Sequence, residues 1–341
     1  MHPTHSSRAF LAAAALALVS SVANAAESPR IGVAEPRPHA PGTLRLATYN
    51  IENFFDNRDD PSLGGNEDDM KSVKPEAARK GVADTLRRMD ADIVAMQEVE
   101  SFDALIEFRE QHLRDLGYTY TQSIDVGAER GIEQAVFSRF PIVHAEVWPV
   151  MTLEGVEPET IDGKPNPNAG KPMTSRRSPL CVTIEVPAET TGGKPYRLTL
   201  IVVHHKSGRG FNFLREAEAN AIIAQYQRLA GENAMDNVAV LGDFNATPDQ
   251  KSVKAYLKAG MIDVVPTHDP DDPVSMTHAS NREIDRLFVS PGLNKEVVPG
   301  SAFALATPQL RREEDWRTAP KPAGYASDHI PLVVDIKPVD Q

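Results

Sequence analysis

One cysteine, Cys181, occurs in 341 residues, so no intramolecular disulfide can form. Stability must then come from a buried core, which a chain of this length supplies without staples. Cys181 lies in the strand-like run Cys181-Val-Thr-Ile-Glu-Val186, where a small buried hydrophobe is expected rather than a nucleophile. Long apolar runs are scarce too. The one that stands out, Ala9 to Val19, is short of the ~20 residues that a membrane span needs. Aromatic residues make up only 6% of the chain, and no aromatic-rich hairpin suggests insertion into lipid. Positive charge is in deficit as well. Against 48 acidic residues stand 36 lysines and arginines, a formal net charge of −12. A molecule-wide field that draws in polyanions is thereby excluded, but a local basic rim still acts within the ~10 Å screening length.

The short apolar run has a reading of its own. Arg8 precedes it and the small-x-small triplet Ala23-Asn24-Ala25 follows it, the pattern of a secretory signal peptide over residues 1–26. Export to the periplasm or the medium is expected, and an uncleaved anchor is the less fitting alternative. Cleavage removes one arginine and no acid, so the mature chain is more acidic still. Residues 27–43 are proline-rich with few large apolar side chains and are expected to form a flexible leader. A single domain over 44–341 follows, since no repeat or composition break divides it.

Within that domain short apolar runs alternate with helical stretches. Strands are expected at Leu44–Thr48, Ile93–Met96, Gln134–Phe137, Leu180–Val186, Arg197–Val203, Val238–Leu241, Ile284–Val289 and Ile330–Ile336. Helices are expected over Pro75–Met89, Ser101–Leu116, Phe213–Ala230 and Gln250–Ala259, each carrying apolar residues at helical spacing or a glycine just past its end. Long loops at 56–74, 154–173 and 306–326 are the kind that face substrate or lack order. The irregular alternation indicates layered α/β rather than a regular doubly wound sheet.

Polar residues able to bind metal or move protons repeatedly stand where an apolar strand stops. Asn50 and Glu52 follow the first strand, and Glu98 follows the second. His204, His205 and Lys206 come after Val203, and Asp243 and Asn245 after Leu241. Asp328 and His329 precede the last strand, and Asp285 opens another. Strand ends are rigid supports that open onto one sheet edge, so such groups can converge. Each has an ordinary explanation when taken alone. Gly242-Asp-Phe-Asn245 is a possible Asx turn, Asp328-His329 a possible cap, Glu98 a solvated residue before a helix, and Lys206-Ser-Gly208 a polar turn. Only the ordered set outweighs them.

That set resembles the endonuclease/exonuclease/phosphatase superfamily, which includes the DNase I-like nucleases, in its exported bacterial branch. The resemblance runs from about Leu44 to Ile336. It rests on Ala47-Thr-Tyr-Asn-Ile-Glu-Asn53, Asp92-Ile-Val-Ala-Met-Gln-Glu-Val99, Arg130-Gly-Ile-Glu-Gln-Ala135, Val203-His-His-Lys-Ser207, Leu241-Gly-Asp-Phe-Asn-Ala246, Ile284-Asp285 and Ser327-Asp-His-Ile-Pro331. It implies an α/β four-layer sandwich, two packed mixed β-sheets flanked by helices, and metal-dependent hydrolysis of a phosphoester. Glu98 is then the principal ligand of Mg²⁺ or Mn²⁺, with Asn50 and Asp328 near the same ion, since hard oxygen donors suit such cations. Asp243 is expected to orient or deprotonate water, and Asn245 to bind a phosphoryl oxygen. His329 is expected to be oriented by Asp285 on the attack side, and His204 to be held by Glu133 on the leaving-group side. Which of the two is acid and which base stays open.

Some positions depart from the pattern. His205 stands where an apolar residue is usual; neighbours in a strand point oppositely, so His204 is assigned by register with His205 as the alternative. Arg286 replaces a commoner aromatic and is a candidate substrate contact, while His268 and His278 match nothing and are expected as solvated loop residues. Arg130, Arg177 and Lys206, with Lys171, Arg176 and Arg209, are candidates for a phosphate-binding rim. Nucleic acid is the leading substrate expectation. A phospholipid head group or small phosphoester is the alternative, and a non-catalytic binding protein is a third reading that the intact Asp-x-Asn and Asp-His pairs weigh against.

Overall fold

The computed structural model describes residues 31–128, 130–232, 237–265, 276–310, 313–315 and 318–340. The signal expected over residues 1–26 and the expectation for His268 lie outside them. Alternation along the strands sets the layers. In β1 (Leu44–Phe54) Leu44 and Leu46 face one way while Ala47, Tyr49 and Ile51 face the other. Strand β2 (Ile93–Val99) repeats this with Ile93 and Ala95 against Val94 and Met96. Successive strand side chains point to opposite faces, so a sheet of such strands is apolar on both and needs cover on both.

The first sheet adds β3 (Tyr120–Ser123), β4 (Glu133–Ser138), β11 (Phe303–Ala304) and β12 (Leu332–Ile336), in the order β11-β12-β1-β2-β4-β3. The second holds β5 (Ile142–Val147), β6 (Leu180–Val186), β7 (Tyr196–His204), β8 (Val238–Asp243), β9 (Ile262–Asp263) and β10 (Asp285–Val289), in the order β9-β10-β8-β7-β6-β5. Leu46, Ile93, Val136, Val182, Leu200 and Leu241 meet between the sheets. Helices α1 (Glu76–Met89) and α2 (Phe102–His112) cover the outer face of the first sheet through Leu86 and Phe108. Helices α3 (Asn212–Glu232) and α4 (Lys251–Lys258) cover the second through Ile222 and Tyr256. The result is the four-layer α/β sandwich. Each fully buried Leu or Phe stabilises it by about 1.5–3 kcal/mol.

Several expectations change. Residues 31–43 are not a free leader. Ile31 is buried, Val33 exchanges backbone hydrogen bonds with Ala304 and Ala306, and Arg45 donates to the Arg37 carbonyl. The loop at 154–173 contains two small ribbons, Thr152–Val156 with Pro172–Thr174 and Thr160–Ile161 with Lys164–Pro165. Cys181 is buried as expected, and burial pushes its thiol up to about 12. Among the described residues no helix is long and apolar enough to cross a membrane.

Candidate active site

Strand polarity explains the convergence. Strands β1 and β2 run parallel, as do β7 and β8, while β10 and β12 run antiparallel to their neighbours. The C-terminal ends of the first four and the N-terminal ends of the other two therefore share one edge. In the second sheet His204, Asp243 and Asp285 lie in register across three strands. Gly242 permits this. Its φ is +142°, and a Cβ there would overlap the Val203 carbonyl oxygen, so any side chain would push β8 off β7 and carry Asp243 away from His204.

Asp243 is the hub. Its Oδ2 accepts from Asn50 Nδ2 at 3.2 Å and Asn245 Nδ2 at 3.0 Å, with His204 Nε2 at 3.3 Å and His329 Nε2 at 3.8 Å. Its Oδ1 accepts the Asn245 N–H at 2.8 Å, so the Asx turn and the site are the same feature. Burial pushes this carboxyl upward, but His329, His204 and the Asn245 N–H outweigh it and hold the group far below the ordinary carboxylate range. His329 Nδ1 lies 2.8 Å from Asp285 Oδ2, as expected. Burial disfavours its charge, yet Asp285 and Asp243 on either side raise it well above 6.5, so His329 is an imidazolium at neutral pH. His204 is the opposite case: burial and the nearby Arg177 hold it below 6.5, so it is neutral.

His204, not His205, faces the cluster. His205 points into the α3–α4 layer, where Nε2 meets the Tyr256 hydroxyl at 3.1 Å and Nδ1 lies 3.4 Å from Glu218. Glu218 also accepts the Lys206 and Arg176 N–H groups and so clamps the turn after β7. The expected His204–Glu133 contact is not formed. The Glu133 carboxylate accepts instead from Val126 N–H, and His204 Nδ1 is buried without a hydrogen-bond partner among the described residues. Glu133 is 1% exposed, and burial pushes its carboxyl up to about 7. An acid whose folded pKa exceeds its unfolded one costs stability as pH rises from about 4.5 to 7. Glu133→Gln should therefore stabilise the fold at pH 8 by up to about 3 kcal/mol, read as a higher melting temperature, and change little at pH 5. Equal melting shifts at both pH values would show that the carboxylate is not buried charged.

Glu98 stands at the end of β2 with φ +64°, a left-handed conformation that costs about 1–2 kcal/mol for a non-glycine residue. Glu52, Asn53 and Asn245 share that region. Such clustering marks functional edges. Glu98 Oε2 accepts Asn53 N–H at 2.8 Å, and its Oε1 lies 3.8 Å from both Arg130 and His204. Burial raises this carboxyl, but the positive groups beside it, Arg130 and Arg177 among them, lower it, so it stays ionised.

Asp328 is held at about 2: burial is overcome by the His278 hydrogen bond and the His329 charge. Sequence reasoning missed His278, which is buried rather than solvated, with Nε2 3.2 Å from Asp328 Oδ2. It missed Lys74 and Tyr325 too. Lys74 donates to the Glu52 carbonyl at 2.8 Å, and burial lowers its ammonium to about 8. Tyr325 donates to Glu52 Oε2 at 2.6 Å.

The expected basic rim is partly assembled. Arg177 is buried and donates to the His205 carbonyl at 2.6 Å, and Arg130 donates to Asn53 Oδ1 at 2.7 Å beside Glu98. Lys206 Nζ stands 4.7 Å over the Phe211 ring. Arg176 is instead paired with Glu157, and Lys171 donates to Asn168. Arg286 is no substrate contact, because it is buried between Asp263 and Glu283 at 2.7 and 2.8 Å.

Two sets of possible ligand atoms lie within 4.8 Å of one another among the described residues: His278, Asp328, His329 and Asp243, Asp285, His329. Neither is a ready nitrogen site. Protonated His329 has no lone pair to give, and His278 Nε2 is engaged with Asp328. The oxygens of Glu98, Asp328 and Asn50 remain. Asn50 turns its Nδ2 to Asp243 and its Oδ1 to the Glu52 N–H, leaving that oxygen one lone pair. An all-oxygen set with two ionised carboxylates fits a hard divalent cation.

Two sheets packed face to face, with carboxylates and imidazoles gathered at one shared edge, define a DNase I-like protein. The chain belongs to the endonuclease/exonuclease/phosphatase family, whose model matches residues 47–329. Members of that family hydrolyse phosphoesters. Solved structures agree in fold. The human Nocturnin catalytic domain with bound sulfate is 17% identical, with a TM-score of 0.54 over 87% of this chain and 95% of that one. An endonuclease/exonuclease/phosphatase from Bacteroides vulgatus is 18% identical, with a TM-score of 0.53 over 86% and 98%. Truncated Caenorhabditis elegans TDP2 is 16% identical, with a TM-score of 0.52 over 86% and 97%. A search of curated proteins gives no match.

Proposed function

We propose that the chain is an exported phosphodiesterase that requires Mg²⁺ or Mn²⁺ and acts on nucleic acid. The observation that carries this reading is Asp243 set between one neutral and one protonated imidazole, His204 and His329. A phosphoester resists water because its oxygens are negative, so a catalyst must neutralise them and orient the nucleophile. Asp243 is too weak a base to remove a proton from water, but it is a fixed acceptor that aligns one. His329 presents an N–H donor where phosphoryl charge develops, while Asn245, whose amide N–H groups go to Asp243 and to the His205 carbonyl, fixes the Asp243 carboxylate. One imidazole with a proton and one without supply the pair that acid–base transfer needs. A cation held by Glu98, Asp328 and Asn50 would add charge neutralisation. Arg130, Arg177 and Lys206 provide local attraction despite the overall negative charge. Export rests on Arg8, the Ala9–Val19 run and Ala23-Asn24-Ala25.

The test is hydrolysis by the mature chain with Mg²⁺ across DNA, RNA, sphingomyelin and phosphomonoesters. Cleavage of DNA or RNA is expected. Activity on the others alone removes the nucleic-acid assignment, and activity on none removes the enzyme.

A cavity favours the compact-substrate alternative enough to test it. It measures about 490 Å³ and lies between Glu52 and Asn53, the first turn of α1, and Lys321–Tyr325. Glu52 and Asn53 bond directly to Asn50 and Glu98, so the cavity adjoins the cluster. That volume falls within the range of small-molecule sites and accommodates a group of nucleoside size. Ala77 lines it from an exposed helical position. If such a group binds there, Ala77→Phe should raise KM for nucleoside or aryl phosphates about tenfold or more while kcat for plasmid DNA holds. Unchanged KM for the ring-bearing esters would exclude the cavity from the substrate site.

A further inference from the structure

We infer that His278 is a positioning residue of this site, a ring that fixes the Asp328 carboxylate through a single N–H donor. Its service to hydrolysis rests on the phosphoesterase reading; its geometry does not. The segment around it is stitched to both halves of the cluster. Thr277 Oγ accepts the N–H groups of Ile284 and Asp285 at 3.1 and 3.0 Å. Ile330 N–H donates to the Thr277 carbonyl, and Ala279 N–H to that of Asp328. His278 is thereby held between the start of β10 and the approach to β12, where it forms a β-bridge with His329.

The tautomer follows from the hydrogen bonds. Nδ1 accepts the Ser280 N–H at 2.9 Å, and a ring nitrogen that accepts from a backbone amide carries no proton. Ser280 Oγ lies 2.7 Å from the same nitrogen and accepts from Arg282 Nε at 2.8 Å. The proton of a neutral His278 is left on Nε2, aimed at Asp328 Oδ2 3.2 Å away. With Oδ2 occupied, Oδ1 is the oxygen turned to the cluster, 3.9 Å from His329 Nε2. The ring also stands edge-on to His329, with centroids 4.5 Å apart at 77°. One side chain thus sets the rotation of Asp328 and buttresses His329, the kind of outer partner on which ligand orientation depends.

Two variants of similar polarity separate positioning from packing. His278→Gln reaches the Nε2 position with an amide donor; His278→Asn stops at the level of Nδ1. Mn²⁺ titrated calorimetrically into the mature chain should bind about 10–100-fold more weakly to the Asn variant. The Gln variant should stay within about threefold of wild type. Nitrogen NMR of the wild-type imidazoles should show His278 protonated on Nε2. Equal Mn²⁺ affinity in wild type and the Asn variant, a Gln variant as weak as Asn, or an Nδ1–H tautomer would each overturn the inference. A wild-type chain that binds Mn²⁺ in this pattern yet cleaves no phosphoester would leave His278 in place and sink the phosphoesterase reading instead.

Discussion

Asp243→Ala is expected to lower turnover by about three orders of magnitude or more while the chain still folds. The size follows from how many groups the carboxylate serves. Without it Asn50 and Asn245 lose their common acceptor, His204 loses its nearest partner, and His329 loses one of two carboxylates. The backbone turn also loses the Asx bond to the Asn245 N–H, which at about 1 kcal/mol is a small cost beside the effect on rate. The β7–β8 register, fixed by Val203 and Gly242 rather than by this side chain, should survive. Circular dichroism and a melting curve establish folding, and single-turnover hydrolysis reads the chemistry. A folded variant that cleaves at near wild-type rate would show that water is oriented elsewhere.

The fold and much of the site are legible in the sequence because strand periodicity is local and the site residues sit at strand ends. Leu180–Val186 has its expected limits. Other elements show where that information fades. Apolar alternation alone ends the first strand at Thr48, but β1 runs on to Phe54, because Asn50 and Glu52 pair with tertiary partners instead of facing solvent. Tyr120–Ser123 and Ile142–Val147 escape a pattern-based reading because they are edge strands with few buried residues and no two-sided apolar pattern. His278, Lys74 and Tyr325 act from irregular segments whose approach to the site is set by packing. Gly81 is one cause: a Cβ there would overlap the Tyr325 carbonyl oxygen, so its absence lets α1 close on that loop. Nothing in the motif around Tyr325 encodes that contact. The His204–Glu133 pairing follows from motif resemblance alone, and the geometry does not form it.

Chelation should abolish hydrolysis, Mg²⁺ or Mn²⁺ should restore it, and Glu98→Gln should raise the half-saturating Mg²⁺ concentration about 100-fold or more. Glu98 is ionised and nearly buried, yet among the described residues its Oε1 has only long polar contacts, 3.8 Å to Arg130 and to His204. Arg130 and Arg177 keep the carboxylate ionised, and an oxygen without a short hydrogen bond stays open to a hard divalent cation. Gln keeps the size and an acceptor oxygen but removes the charge, so the Asn53 contact and the left-handed turn can persist while the attraction for a divalent ion falls. Stability gives a readout independent of turnover. A ligand that binds only the folded state stabilises it by about 2.7 kcal/mol at a hundredfold excess over Kd, so Mg²⁺ should raise the melting temperature of the wild type. The same Mg²⁺ concentration should barely move Glu98→Gln. Undiminished hydrolysis in chelator would eliminate the cation from the reaction, and equal Mg²⁺-dependent melting shifts in the two proteins would relocate it away from Glu98.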